Sequence, residues 1–201
     1  MASTSSSSTG PLDANVTESE FKDILPQPLL AGALAPHPSS VPYHVFINHR
    51  GPDVKTTLAT DIFQRLTRGG LRVFLDAKVL ELGASIPREI EDAIHSASVH
   101  IVIFSPHYAE SPWCLEELSI MLKTRTRTRS NIIPVFYNVD PSVLRWVAQD
   151  KGVYAQAISD HEGKSDHEGK RRYSPEKIQD WKTALSNVSL LYGGDKLENN
   201  E

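Results

Sequence analysis

Trp113 and Glu117 stand four residues apart behind Ser111-Pro112, a pair that opens a helix because proline suits the first helical position. Four residues is just over one helical turn, so the two side chains share a face and lie within reach of each other. An indole offers a flat apolar wall to a cationic aromatic ring. A carboxylate beside it can accept hydrogen bonds from hydroxyls or stabilise a developing positive charge. The competing reading packs Trp113 into the core and turns Glu117 to water, and spacing alone does not decide between the two. Cys114 belongs to the apolar side of the same helix with Leu118 and Met121, and no histidine is placed beside it by sequence, so a buried thiol is the simpler reading than a nucleophile. GxGxxG, GxxxxGK[ST], HExxH, GxSxG and CxxC are all missing, which removes redox, kinase-like and zinc-hydrolase readings.

The elements that must hold this helix are legible from Tyr43 onward. Tyr43–Ile47 reads as a strand, followed by a helix capped by Asp53, with Leu58, Ile62, Phe63 and Leu66 on one stripe and Gly69-Gly70 as its stop. Leu71–Leu75 is a second strand. After a loop over 76–84, Ser85 caps a helix with Ile86, Ile90, Ala93, Ile94 and Ala97 on a single face. Val99–Phe104 is a continuous apolar strand, the Ser111-Pro112 helix runs to Met121-Leu122, Asn131–Tyr137 is a fourth strand, and Ser174-Pro175 starts a last helix. Near-continuous Val/Ile runs joined by helices mark parallel strands buried on both faces, hence an α/β, doubly wound sheet with its ligand crevice at the carboxyl ends of the strands. Those ends are 48–53, 76–83, 105–117 and 138–142.

Composition sets the outer limits. The chain has 201 residues, 39% hydrophobic and 23% charged, which fits one ordinary domain plus a tail. A formal net charge of -4 gives no global basic field for a polyanion, so nucleic acid is a poor main partner. A single cysteine excludes an internal disulfide framework and points to a reducing, intracellular setting, cytoplasmic with the nucleus as the alternative, and no apolar run is long enough to span a membrane. Residues 1–40 hold 8 serines and 5 of the 13 prolines with one lysine and one phenylalanine, the composition of a disordered tail. The alternating Thr/Arg run 124–129 reads as a solvated connector, and the near-duplicate stretches 160–164 and 166–170 as a loop expansion in preference to a metal site.

Four blocks in order carry a family resemblance: Val45-Phe46-Ile47-Asn48-His49-Arg50-Gly51-Pro52-Asp53, the segment Asp76 to Ile86 with Gly83, Ser111-Pro112-Trp113-Cys114-Leu115-Glu116-Glu117-Leu118, and Ile133-Pro134-Val135-Phe136-Tyr137-Asn138-Val139-Asp140-Pro141-Ser142. Over roughly Tyr43 to Tyr192 the chain resembles a plant Toll/interleukin-1 receptor (TIR) domain. The resemblance implies a flavodoxin-like sheet of four to five strands in a single domain over 41–193, between the tail and a short acidic stretch at 194–201. It implies cleavage of NAD+ at the nicotinamide–ribose bond as an intracellular plant immune signal, with NAD+ as substrate and no cofactor. The family glutamate falls on Glu117 as the catalytic residue and the family aromatic on Trp113. Arg50 then becomes a phosphate partner, with Ile47, Asn48, His49, Phe74 and Gly83 around the cleft. Self-association through the 76–84 loop is implied as well. With no nucleotide-binding or leucine-rich region following, the pattern resembles the TIR-only type. The rival reading is a catalytically silent adaptor acting by TIR–TIR contact. The chain departs from the family pattern at Thr60-Asp61, where a Ser-His pair is usual, at Leu82-Gly83, where Arg-Gly is usual, and past Leu190 to Gly194, where another strand and helix usually follow. A fifth strand would have to come from somewhere between Val143 and Ile158.

Overall fold

The computed structural model describes residues 41–54, 58–75 and 86–192. The expected tail over 1–40, the loop 76–84 with Gly83, the Ser85 cap and the 194–201 stretch lie outside the described residues. Four strands form one parallel sheet in the order β2-β1-β3-β4: β1 (Val45–His49), β2 (Val73–Leu75), β3 (Val99–Phe104) and β4 (Asn131–Phe136). Val45 pairs with Val73 on one side and Val99 on the other, and Val99 pairs with Asn131, so the carboxyl ends of β1, β3 and β4 come out together. The first strand is shifted two residues from its predicted span, because Asn48 and His49 continue the ladder beside Val102 and Ile103.

The pleat divides the sheet's side chains between two cores. Val45, Ile47, Val73 and Ile103 pack with Val54 of the one-turn helix α1 (Gly51–Val54) and with Ala59 and Phe63, the latter on α2 (Thr60–Arg68). Phe46, Val102, Phe104 and Ile132 face the other way. They pack against α3 (Arg88–Ser96), α4 (Pro112–Thr128), α5 (Ser142–Val147), α6 (Gly152–Glu162) and α7 (Pro175–Tyr192). Helices therefore cover both faces, as the Val/Ile runs require. Each such aliphatic or aromatic side chain contributes about 1.5–3 kcal/mol by leaving water.

Three predictions of local structure are corrected. Asp53 does not cap the following helix; it sits inside α1, and α2 begins behind Ala59, whose backbone is already helical and gives no side-chain cap. The run 124–129 is not a connector. It is the last turn and a half of α4, with Thr124 buried three residues after Met121 and the helix closed by Arg129 in the left-handed region (φ 56°). Arginine is a good helix former, and the Thr/Arg alternation hid the buried stripe. The stretch between Val143 and Ile158 supplies no strand: Val143, Leu144 and Val147 are the buried face of α5, and Tyr154, Ala155, Ala157 and Ile158 that of α6. In the duplicated stretch, Asp166 Oδ1 accepts the backbone N–H groups of Glu168 and Lys170, and Ser165 bridges Arg171, which makes a compact turn. Among the described residues no group of three or more His, Cys, Asp or Glu side chains is arranged to hold a metal ion, and no helix is long and apolar enough to cross a membrane.

Candidate active site

Ser111 starts α4 as predicted: its Oγ accepts the Cys114 N–H at 3.3 Å, with Pro112 in the first turn. Glu117 follows one and a half turns later and is 5% exposed. A carboxylate at that depth loses most of its hydration and needs donors in exchange. Asn48, itself 1% exposed, supplies one: its Nδ2 donates to Glu117 Oε2 at 2.8 Å and reaches the Cys114 carbonyl at 3.4 Å. The other end of the same amide, Oδ1, accepts the Tyr108 hydroxyl at 2.5 Å. Tyr108 opens a 3-10 turn (Tyr108–Glu110) directly after β3, its ring packed edge-on to Phe104 and beside Tyr154. Burial pushes the Tyr108 phenol well above its usual range, with the neighbouring Cys114 and Glu117 adding to the effect, so the hydroxyl keeps its proton. The Cys114 thiol meets the His49 carbonyl at 3.3 Å and is buried, in line with the structural reading.

Trp113 is half-buried, and its indole N–H is shielded from solvent without a hydrogen-bond partner among the described residues. A shielded donor of that kind is open to an acceptor on a ligand. Phe74, also half-buried, stacks on Phe46 with ring centres 5.2 Å apart and planes at 6°, on the same sheet face as Asn48.

Ile47, Asn48 and His49 cannot all address one cleft. Alternation sends Ile47 and His49 to the opposite face from Asn48, and Ile47 is fully enclosed in the second core. Arg50 is engaged by carboxylates: Nη1 meets Asp53 Oδ1 at 2.5 Å and Nη2 meets Glu110 Oε2 at 3.1 Å. Asp53 in turn accepts the Ser105 hydroxyl at 2.5 Å and the His107 backbone N–H at 3.3 Å. Arg50 thus latches the end of β1 to the segment after β3, and a phosphate there would compete with two carboxylates. Tyr108 and this latch were missed from sequence. The signal available was their place in the segments 48–53 and 105–117, which the sheet's polarity had already marked. A separate cavity of about 190 Å³, lined by Glu91, His95, Ile120, Lys123, Thr124 and Arg127, opens two turns further along α4; Glu91 lies in it and Lys123 is paired with Asp180 at 2.8 Å.

A parallel α/β domain with a buried, amide-held carboxylate one turn from a half-buried indole, at the carboxyl end of its sheet, is the class of protein that the geometry defines. The TIR domain family model matches residues 42–201, and the chain belongs to that family. It is 39% identical over 151 residues to TMV resistance protein N of Nicotiana glutinosa, covering 75% of this chain and 12% of that protein. It is 37% identical over 151 residues to a Brachypodium distachyon protein named "Probable 2' cyclic ADP-D-ribose synthase BdTIR", covering 75% of this chain and 58% of that one. The chain therefore spans little more than half, or far less, of the length of these relatives. Among solved structures, the TIR domains of the activated Roq1 resistosome that recognises the pathogen effector XopQ match with a TM-score of 0.61 at 34% identity, covering 76% of this chain and 92% of that one.

Proposed function

We propose that this TIR domain cleaves NAD+ at the nicotinamide–ribose bond. The observation that carries the reading is Glu117: a carboxylate sunk to 5% exposure on a helix that packs against β1, held by Asn48 rather than left to water. In the reaction the electron pair of the C1′–N bond leaves with nicotinamide, which departs neutral, and the ribose becomes oxocarbenium-like. In this reading Glu117 stabilises that charge and accepts hydrogen bonds from the ribose hydroxyls, and Trp113 walls the pyridinium ring. Attack of water on C1′ gives ADP-ribose and a proton; attack of a hydroxyl elsewhere in the substrate gives a cyclic product and a proton. Because nicotinamide is its own leaving group, the chemistry calls for no cofactor. The name of the Brachypodium relative agrees with a cyclic product, and the plant resistance relatives agree with an intracellular immune signal.

Self-association belongs to the same reading, supported by the resistosome context of the structural match and by the aliphatics Val79, Leu80 and Leu82 around Gly83 in the 76–84 loop. The test of the chemistry is direct. Purified full-length protein incubated with NAD+ releases nicotinamide in step with ADP-ribose or an isomer of cyclic ADP-ribose. Absence of nicotinamide at high protein concentration would return the chain to the silent-adaptor reading.

A further inference from the structure

We infer that Tyr108 and Asn48 act as a positioning pair for Glu117: the tyrosine hydroxyl fixes which way the Asn48 amide points, and the amide N–H holds the carboxylate ready as an acceptor. An amide has an oxygen end and a nitrogen end, and burial makes each end's partner count. At Asn48 the oxygen end faces the Tyr108 hydroxyl at 2.5 Å and the nitrogen end faces Glu117 Oε2 at 2.8 Å. Turned over, the amide would aim its oxygen at a carboxylate oxygen, an arrangement tolerable only if Glu117 carried a proton and donated it. The turn would also take from the hydroxyl its shorter acceptor, leaving the Cys114 carbonyl at 3.1 Å. The amide's direction and the proton on Glu117 are therefore coupled, and Tyr108 biases both toward the ionised carboxylate.

The geometry leaves the tyrosine little freedom to do otherwise. Tyr108 is fully buried, with Phe104 4.8 Å away edge-on and Tyr154 at 6.1 Å, and Tyr154 is itself pinned by donating to the Ser105 carbonyl at 2.6 Å. The hydroxyl stays protonated because burial opposes the phenolate. Nothing in this arrangement requires Tyr108 to touch substrate. It acts through Asn48, and its effect rests on the reading of Glu117 as the residue that stabilises the ribose cation.

The test uses the full chain with Tyr108→Phe, which removes one oxygen, and Asn48→Asp, which replaces the donor end with a second acceptor. In NAD+ turnover, Tyr108→Phe is expected to lower kcat about tenfold with KM changed less than about twofold, and to move the acid limb of the pH–rate profile up by about one unit; Asn48→Asp moves the limb further. In parallel, the carboxyl of Glu117 is titrated by NMR in protein carrying ¹³C-labelled glutamate, its signal assigned by its loss in Glu117→Gln. A raised titration midpoint in Tyr108→Phe, whether or not NAD+ is cleaved, supports the pair; with no cleavage it is the NAD+ reading alone that falls. Superimposable titrations, with superimposable pH–rate profiles where turnover is seen, overturn the pair and leave the NAD+ reading standing. Should Tyr108→Phe fail to fold, Asn48→Ala, which removes the amide donor without adding a charge, is titrated in its place: a raised Glu117 midpoint supports the pair and an unchanged one overturns it.

Discussion

Trp181 Nε1 donates to Glu116 Oε2 at 3.1 Å, so the glutamate next to Glu117 is turned onto α7 while Glu117 is turned onto β1. Lys177 Nζ adds a second bond to Glu116 Oε1 at 2.7 Å. Consecutive residues on a helix are rotated about 100° apart, and that angle separates a structural carboxylate from the candidate catalytic one.

Glu116→Ala should therefore destabilise the fold without removing the chemistry. It leaves the buried Trp181 N–H without its acceptor, a loss of about 1–3 kcal/mol. Thermal denaturation should show a melting temperature lower by about 2–4 °C for each kcal/mol lost, with turnover per folded molecule close to wild type. A dead but fully stable Glu116→Ala protein would mean that the two roles are exchanged.

Arg50 offers a second discrimination. As a latch between Asp53 and Glu110 it should, on mutation to Ala, lower the melting temperature by about 2–8 °C, because Asp53 is left partly buried with one donor fewer. As a phosphate partner alone, its loss should raise KM for NAD+ and leave stability untouched. Differential scanning fluorimetry beside a KM measurement reads both, and the two carboxylate pairs of Arg50 predict the stability loss.

Acid should weaken the fold from the interior. His100 and His161 are buried, with Nε2 2.9 Å from the Ile94 carbonyl and 3.0 Å from the Ala109 carbonyl respectively. Burial pushes both rings below the usual 6.5, and the Lys164 ammonium adds to the effect at His161. The unfolded chain thus takes up protons as pH falls through about 6.5 before the folded chain does. Stability is full above that pH and declines below it, levelling only once the depressed folded values are passed. Urea midpoints measured from pH 8 to pH 5 should fall below about 6.5. A flat series would show that these rings do not report on folding.

Assembly is tested by dilution. If the 76–84 loop meets a second copy, specific activity should rise with protein concentration, and Leu82→Asp or Gly83→Pro should lower it without unfolding the domain. Constant specific activity over a wide dilution range, with both variants fully active, would make the monomer the working unit.

The four strands and the helices α2, α3, α4 and α7 followed from periodicity, whereas α5 and α6 did not: Val99–Phe104, a continuous apolar run, reads as a central strand and forms over those six residues. That Trp113 and Glu117 lie one turn apart on α4 was equally legible, since Ser111-Pro112 sets the start of the helix, although spacing left open which of them faces the core. Partners across the fold were not. That Asn48 points at Glu117 whereas Ile47 and His49 point away depends on the pleat's phase, and the expected span Tyr43–Ile47 put Asn48 and His49 beyond the strand, where no such alternation applies. Tyr108 was invisible for the same reason: its partner is 60 residues away, and only the parallel alignment of β1 with β3 brings the two together. The Thr/Arg run was misread because its polarity outweighed one buried position, Thr124.

NAD+ cleavage by this domain turns on one carboxylate, and the decisive measurement is nicotinamide release by wild type, Glu117→Gln and Glu116→Gln under identical conditions. Expected are turnover in wild type, turnover per folded molecule within about threefold in Glu116→Gln, and a loss of about 100-fold or more in a folded Glu117→Gln protein, the scale of removing a group that stabilises transition-state charge. A folded Glu117→Gln protein that releases nicotinamide at the wild-type rate would contradict it.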